Sequence, residues 1–191
     1  MVSDNMMQAR IVKAYRATNA RQRSEGRIWY AKAYAVAKRI HPSYVAGAGV
    51  LAALSPQITW DENIAGAELI CHAALNDLPM PDVAGYNINR QKAWKIARGE
   101  YWESPLELLS RSPGQYKVNN FYRNILGDQY AVTVDRWAAR IALPDWNEGS
   151  MRGRTYLAVE CAYQDAAVKL HSVTPAELQA IVWIAEREKV A

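Results

Sequence analysis

Three tetrapeptides that begin with Ser-Pro or Thr-Pro constrain the fold most strongly, because each has the signature of a helix N-terminus. They are "SPLE" at Ser104, "SPGQ" at Ser112 and "TPAE" at Thr174. In each, a hydroxyl can cap the helix, proline suits the first helical position, and Glu or Gln can reach back to the cap residue. The chain has no alternating apolar pattern longer than the short "YAVTV". We therefore predict an all-α fold with eight to ten helices.

Four further segments have the composition and apolar spacing of helices that lie between turn signals. They are "GRIWYAKAYAVAKRI", "SYVAGAGVLAAL", "NIAGAELICHAAL" and "NRQKAWKIARG". The second is small and apolar throughout, which is typical of a buried helix with close neighbours. Gly99 is the expected C-cap of the fourth. The linking stretch "SPQITWDEN" indicates either a turn or a new helix start.

Length and composition indicate one helical domain over residues 1–191, either undivided or built as two lobes. The sequence lacks an apolar run of about 18 residues and a leader segment, so we expect a cytoplasmic protein with no membrane partner. Cys71 and Cys161 are far apart and lack metal-type spacing, and the histidines are scattered. We therefore expect no metal, no iron–sulfur cluster and no other cofactor.

The positive charge of the chain is concentrated in one segment. The net charge is +4, and residues 86–140 hold nine Lys/Arg against five Asp/Glu, so the whole excess lies there. Cations that face one cleft would attract phosphates and make nucleic-acid binding salt-dependent. A solvated surface of mixed charge explains the same composition equally well.

Lys117 and Asp135 stand 18 positions apart, each at the start of a candidate helix. Asp135 follows the apolar run "AVTV" and precedes "RWAARIAL", where a carboxylate would cap the helix and suit its dipole. Lys117 opens "KVNNFYRNILG" and is either a solvated surface lysine or an amine nucleophile able to form a Schiff base.

Three motifs, taken in chain order, resemble those of the helix-hairpin-helix base-excision DNA glycosylases, in particular the endonuclease III-like branch. The first is "VLAALSPQITW", which contains Gln57. The second is "GYNINRQKAWKI", in which Lys92, Ala93 and Ile96 match the family's pattern. The third is Pro113-Gly114 followed by Lys117 and Val134-Asp135. Arg140 also fits the pattern. The motif-bearing part spans about residues 45–143. Small uncharacterised proteins of actinobacterial phages are similar in sharing "LSPQ..W" and "VTVDR".

The resemblance implies a helix-hairpin-helix glycosylase-like fold of two helical lobes, with a cleft between them. It implies a monomeric base-excision repair enzyme that cleaves the N-glycosidic bond of a damaged or modified base in double-stranded DNA, with AP-lyase activity as an additional step. Asp135 would stabilise positive charge on the sugar, and Lys117 would be the amine nucleophile. Gln57 would fill the gap left by a flipped base. The other implied DNA contacts are Gly114, Gln115, Tyr116, Arg136 and Arg140.

The sequence also departs from that family. The hairpin "PGQYK" has Tyr116 where a second glycine is usual and is one residue shorter. Trp137 replaces the expected histidine, and the cysteines that bind an iron–sulfur cluster are absent. Two alternatives therefore stay open: a phage enzyme that modifies DNA bases on the same fold, and a DNA-binding module without catalytic activity.

Overall fold

The all-α prediction is confirmed by a computed structural model, which describes residues 4–110, 115–146, 151 and 153–189. These residues form eleven α-helices and no β-strand. The helices are α1 (Asp4–Arg16), α2 (Ala20–Arg27), α3 (Trp29–Ile40), α4 (Tyr44–Leu54), α5 (Trp60–Leu75), α6 (Asn87–Ala97), α7 (Leu106–Leu109), α8 (Gln115–Ile125), α9 (Arg136–Ala142), α10 (Gly153–Leu170) and α11 (Pro175–Glu188).

The predicted helix count of eight to ten was too low. The segment "GRIWYAKAYAVAKRI" was expected to be one helix, but it is divided between α2 and α3 at Ile28. The side chain of Asn19 caps α2 together with Gln22 in a capping box, a start signal that the sequence interpretation missed. The N-terminal α1 was not predicted either.

Two complete capping boxes explain where later helices begin. Thr174 and Glu177 bond each other's backbone N–H groups at the start of α11, as predicted from "TPAE". Thr59 and Glu62 make the same exchange at the start of α5. The stretch "SPQITWDEN" therefore contains both a turn, at Pro56 and Gln57, and a helix start, and α5 begins at Trp60, earlier than predicted.

The other two Ser-Pro signals precede α7 and α8. At α7, Ser104 Oγ accepts from the Leu106 N–H, and the Glu107 carboxylate accepts from the Ser104 N–H. The predicted cap at Ser112 lies outside the described residues. Gln115, the residue expected to reach back to it, is the first residue of α8.

The chain divides into two compact units, which we call the terminal unit and the central unit. The terminal unit comprises Met1–Tyr30 and Gly127–Ala191, and the central unit is Ala31–Leu126. The boundary falls near the start of α3, whose first two residues, Trp29 and Tyr30, belong to the terminal unit.

In the terminal unit, α1, α9, α10 and α11 enclose an apolar core that includes Ile11, Val132 and Tyr163. Helix α2 packs very closely on α11, because Gly26 lies against the backbone of Ile181. A Cβ atom at Gly26 would be only 2.6 Å from Ile181 Cα. The lack of a side chain at this position therefore sets the spacing of the two helices.

In the central unit, α4 is the core helix. Every residue from Ala46 to Leu54 is buried, and α5, α6 and α8 pack around it. Its small residues permit these contacts, since a Cβ at Gly49 would be 2.7 Å from the Pro105 side chain. The predicted buried helix is confirmed. In the part of the chain that the structure describes, no helix is long and apolar enough to cross a membrane.

Candidate functional site

Asp135 is the N-cap of α9, and both of its carboxylate oxygens accept hydrogen bonds. Oδ1 accepts from the backbone N–H groups of Trp137 at 3.0 Å and Ala138 at 2.9 Å. Oδ2 accepts from Trp183 Nε1 at 2.8 Å. The predicted capping role is confirmed. A carboxylate has about four acceptor positions, so these three donors leave one position on Oδ2.

Residues 131–134, directly before Asp135, belong to no helix or strand. Side chains of α10 bond their backbone groups instead. Tyr156 Oη donates to Val132 O at 2.9 Å and accepts from the Val134 N–H at 3.1 Å. The Glu160 carboxylate accepts from the Val132 N–H at 3.2 Å. Because the backbone groups are satisfied in this way, the segment delivers Asp135 to a fixed position.

The indole that bonds Asp135 is itself held on two sides. Trp29 packs edge to face with Trp183, with ring centroids 5.5 Å apart. The Arg187 guanidinium lies over the Trp183 ring, 4.5 Å from its centroid. Trp183 and Arg187 are four residues apart on α11 and therefore share one face of that helix.

The charge of Asp135 raises the pKa of two buried tyrosines. Burial raises the pKa of Tyr30, and the nearby Asp135 carboxylate raises it further, although a hydrogen bond with Thr133 opposes this. Burial also raises the pKa of Tyr163 well above its usual value, with Asp135 again adding to the effect. The Tyr30 hydroxyl donates to Gln179 Oε1 at 2.7 Å. Both phenols therefore stay protonated and uncharged beside the carboxylate.

Arg136 begins α9, Arg140 lies in its last turn, and both contact the same indole. Their guanidinium carbons are 5.0 Å and 5.1 Å from the centroid of the Trp137 ring. Arg136 is exposed and Arg140 is half-buried. The structure thus gathers two cations and an aromatic ring directly after Asp135. Their contact with DNA stays a prediction.

In the central unit, Lys117 bonds Ser55, which lies two positions before Gln57 in the chain. The Lys117 ammonium, in the first turn of α8, donates to Ser55 O at 3.4 Å. Ser55 is the C-cap of α4, and the C-terminal end of a helix favours a cation. Gln57 follows in the same turn, exposed to solvent.

Gln57 has a left-handed backbone conformation, with φ of 64°. A residue other than glycine is disfavoured there by about 1–2 kcal/mol. Strained residues of this kind are concentrated at functional sites. The combination of strain and exposure makes Gln57 the most distinctive residue of this turn.

The predicted hairpin is described only in part. Gln115 and Tyr116 are the first two residues of α8, and Tyr116 is exposed. Pro113 and Gly114 lie outside the described residues, so the expected approach of Gly114 to a phosphate stays a prediction.

The predicted site residues fall in both units. The terminal unit contains Asp135, Arg136 and Arg140, and the central unit contains Gln57, Gln115, Tyr116 and Lys117. The predicted site residues therefore form two groups, one in each unit. The pairing of Lys117 with Asp135 in one reaction stays a prediction.

Trp183 is the residue that the sequence interpretation missed. The segment "TPAELQAIVWIAER" indicates a capped amphipathic helix, and this signal alone suggests only a structural role. A finer signal was present, because Gln179, Trp183 and Arg187 recur every four residues along this helix. Gln179 accepts from Tyr30, Trp183 donates to Asp135, and Arg187 lies over the Trp183 ring.

The described ranges contain no group of three or more His, Cys, Asp or Glu side chains placed to hold a metal ion. Cys71 is buried, and its burial raises the thiol pKa to about 12. Cys161 is exposed on α10. At Cys71 the thiol is therefore protonated and unreactive at neutral pH.

Comparison with known protein families shows to which family the chain is similar. The sequence model of DUF7178, which is described as a family of unknown function, matches residues 1–190. Because the match covers almost the whole length, the chain belongs to this family. No curated protein and no solved structure matches it.

Proposed function

We propose that this member of the family is a DNA glycosylase that acts on double-stranded DNA. The same proposal includes a helix-hairpin-helix glycosylase-like fold with two lobes and a cleft. It also includes action as a monomer in the cytoplasm. The family match by itself names no reaction, so the proposal rests on the chemistry of the site residues and on the motif resemblance.

The observation that supports the proposal most directly is the fixed orientation and the remaining acceptor position of the Asp135 carboxylate. Three donors fix its orientation, and one acceptor position on Oδ2 is left for another group. Cleavage of an N-glycosidic bond develops positive charge at the anomeric carbon of the sugar. A carboxylate that is already oriented can stabilise that charge and accept a proton from an attacking water.

Arg136 and Arg140 support DNA as the partner. The two arginines follow Asp135 by one and five positions in the sequence. Both guanidinium groups stack on Trp137. Arginine pairs well with phosphate oxygens, and such contacts position a protein on the duplex without reading its sequence. We assign these two arginines to the phosphates that flank the target nucleotide.

Lys117 and Gln57 have separable roles in the proposal. The Lys117 amine would form a Schiff base with the sugar, which permits strand scission. To do so it must lose its proton and leave Ser55 O. Base release by Asp135 does not require that step, so glycosylase activity is the primary proposal and AP-lyase activity the secondary one. Gln57 would occupy the space of the flipped base.

One observation favours a second candidate, a DNA-binding module without catalysis. The three hydrogen bonds of Asp135 suffice to cap α9 and to anchor α11. A carboxylate with this structural role alone would be kept in a scaffold that only binds DNA.

A panel of duplexes that contain damaged and modified bases tests these functions. Mass spectrometry detects a free base if the protein is a glycosylase, and an altered base still attached to DNA if it modifies bases in place. Borohydride traps the Schiff base as a covalent adduct with wild-type protein, and Lys117→Gln should abolish this adduct and strand scission. Duplex binding without any chemical change would support the binding module instead.

A further inference from the structure

We infer that Trp183 is a positioning residue, which holds the Asp135 carboxylate in the orientation that its reaction needs. This inference rests on the proposed function. It assigns to α11 a part in the site that neither the motif resemblance nor the family match provides. The geometry behind it is the 2.8 Å hydrogen bond from Trp183 Nε1 to Asp135 Oδ2.

The two backbone donors alone do not fix the carboxylate. Both N–H groups bond the same oxygen, Oδ1. Rotation about the Cβ–Cγ bond moves both oxygens, and the backbone donors oppose it through Oδ1 alone. The indole N–H bonds the other oxygen and so adds a second restraint on that rotation. Since Oδ2 has the remaining acceptor position, its location decides whether a substrate atom can be reached.

The surroundings of Trp183 suit a positioning role. The ring is half-buried, packs against the edge of Trp29 and is covered by Arg187. These contacts fix the indole plane and hence the direction of its N–H bond. The adjacent guanidinium also favours a hydrogen bond to an anion. The donor is therefore preorganised before any substrate binds.

Trp94 provides a matched control. It is also half-buried on a helix, and an arginine four residues later, Arg98, lies over its ring at 5.7 Å. In the part of the chain that the structure describes, the Trp94 indole donates to no carboxylate. Trp94→Phe thus makes the same chemical change as Trp183→Phe without removing a bond to Asp135.

The first test observes the hydrogen bond itself and needs no activity. The chain has seven tryptophans, so a nitrogen-15 spectrum resolves the indole N–H signals, and backbone correlation assigns them. In Asp135→Asn, the Trp183 signal should shift and exchange with solvent faster, while the Trp94 signal should stay in place. An unchanged Trp183 signal would overturn the inference, even if Trp183→Phe fails to fold.

The second test measures the consequence for the reaction. With a duplex that the wild-type protein cleaves, Trp183→Phe should lower kcat by about 10- to 100-fold with little change in KM. Trp94→Phe should keep the wild-type kcat. Equal activity of the two variants would overturn the inference while leaving the proposed glycosylase function intact.

Failure of the proposed function gives a different pattern. If wild-type protein releases no base from any duplex, the glycosylase proposal fails, whatever the spectrum shows. The positioning role for catalysis then fails with it. A shifted Trp183 signal would in that case assign the bond to the capping of α9 alone.

Discussion

Replacing Asp135 by asparagine separates capping from catalysis, because asparagine caps a helix about as well as aspartate. In Asp135→Asn, the amide oxygen can still accept from the Trp137 and Ala138 N–H groups. The amide nitrogen then occupies the position of Oδ2 and faces the Trp183 N–H. Two donors oppose each other there, so one hydrogen bond is lost and the rest of the cap is kept.

The loss of stability follows from these contacts. An indole N–H left unpaired in a half-buried position is unfavourable by about 1–3 kcal/mol. Loss of the negative charge at the N-terminus of α9 adds about 0.3–1 kcal/mol. We therefore expect Asp135→Asn to lower the free energy of unfolding by about 1–4 kcal/mol, which corresponds to a fall in Tm of about 2–16 °C.

The loss of activity should be far larger than that stability change explains. At a temperature well below both melting points, single-turnover base release should fall by at least about 100-fold. Duplex affinity, followed by fluorescence anisotropy, should be unchanged. Ile11→Ala is the stability control, because Ile11 is buried in the terminal core, and its truncation is expected to be destabilising by about 2–5 kcal/mol.

Two results would refute this reasoning. If Asp135→Asn releases base as fast as Ile11→Ala, the carboxylate is only a cap and the glycosylase proposal is wrong. If Asp135→Asn melts at the wild-type temperature, the hydrogen bond to Trp183 contributes nothing measurable.

Three further predictions concern backbone fit and charge. Gly26→Ala should lower the free energy of unfolding by about 1–3 kcal/mol, because its Cβ would be 2.6 Å from Ile181 Cα. Gly66→Ala, where the nearest atom is 3.4 Å away, should instead raise it by about 0.5–1 kcal/mol; denaturant titrations of both variants check the opposite signs. Gln57→Gly should relieve the left-handed strain and stabilise the chain by about 1 kcal/mol, yet slow base release, so a faster enzyme would contradict the proposed role of Gln57. Duplex binding should weaken steeply as salt rises, and Arg136→Ala should reduce the slope of log K against log salt by about 1; an unchanged slope would remove Arg136 from the phosphate contacts.

Features that depend on a few adjacent residues could be predicted from the sequence. The capping box of Thr174 and Glu177 spans three positions, and it correctly predicted the start of α11. The cap at Asp135 was predicted correctly for the same reason. Such signals act between residues i and i+3 or i+4, so they can be read without knowing the rest of the fold.

Local sequence signals were less decisive where one stretch allows two interpretations. The stretch before Trp60 predicts either a turn or a helix start, and it contains both: a turn at Pro56 and Gln57, and then the capping bonds between Thr59 and Glu62 that start α5. The short alternating pattern "YAVTV" is another such case. It forms no strand, and the Tyr156 hydroxyl bonds its backbone instead, which no local pattern reveals.

Contacts between side chains that are distant in the sequence, within each unit, could not be predicted in this way. Trp183 bonds Asp135 across 48 positions, and Lys117 reaches Ser55 across 62. Each contact depends on how whole helices pack, and that packing depends on features such as the missing side chain of Gly26 against α11. A hydrogen bond needs its atoms placed to within a few tenths of an ångström. Helical periodicity fixes only which face a residue occupies, so it could not have identified Trp183 as the donor to Asp135.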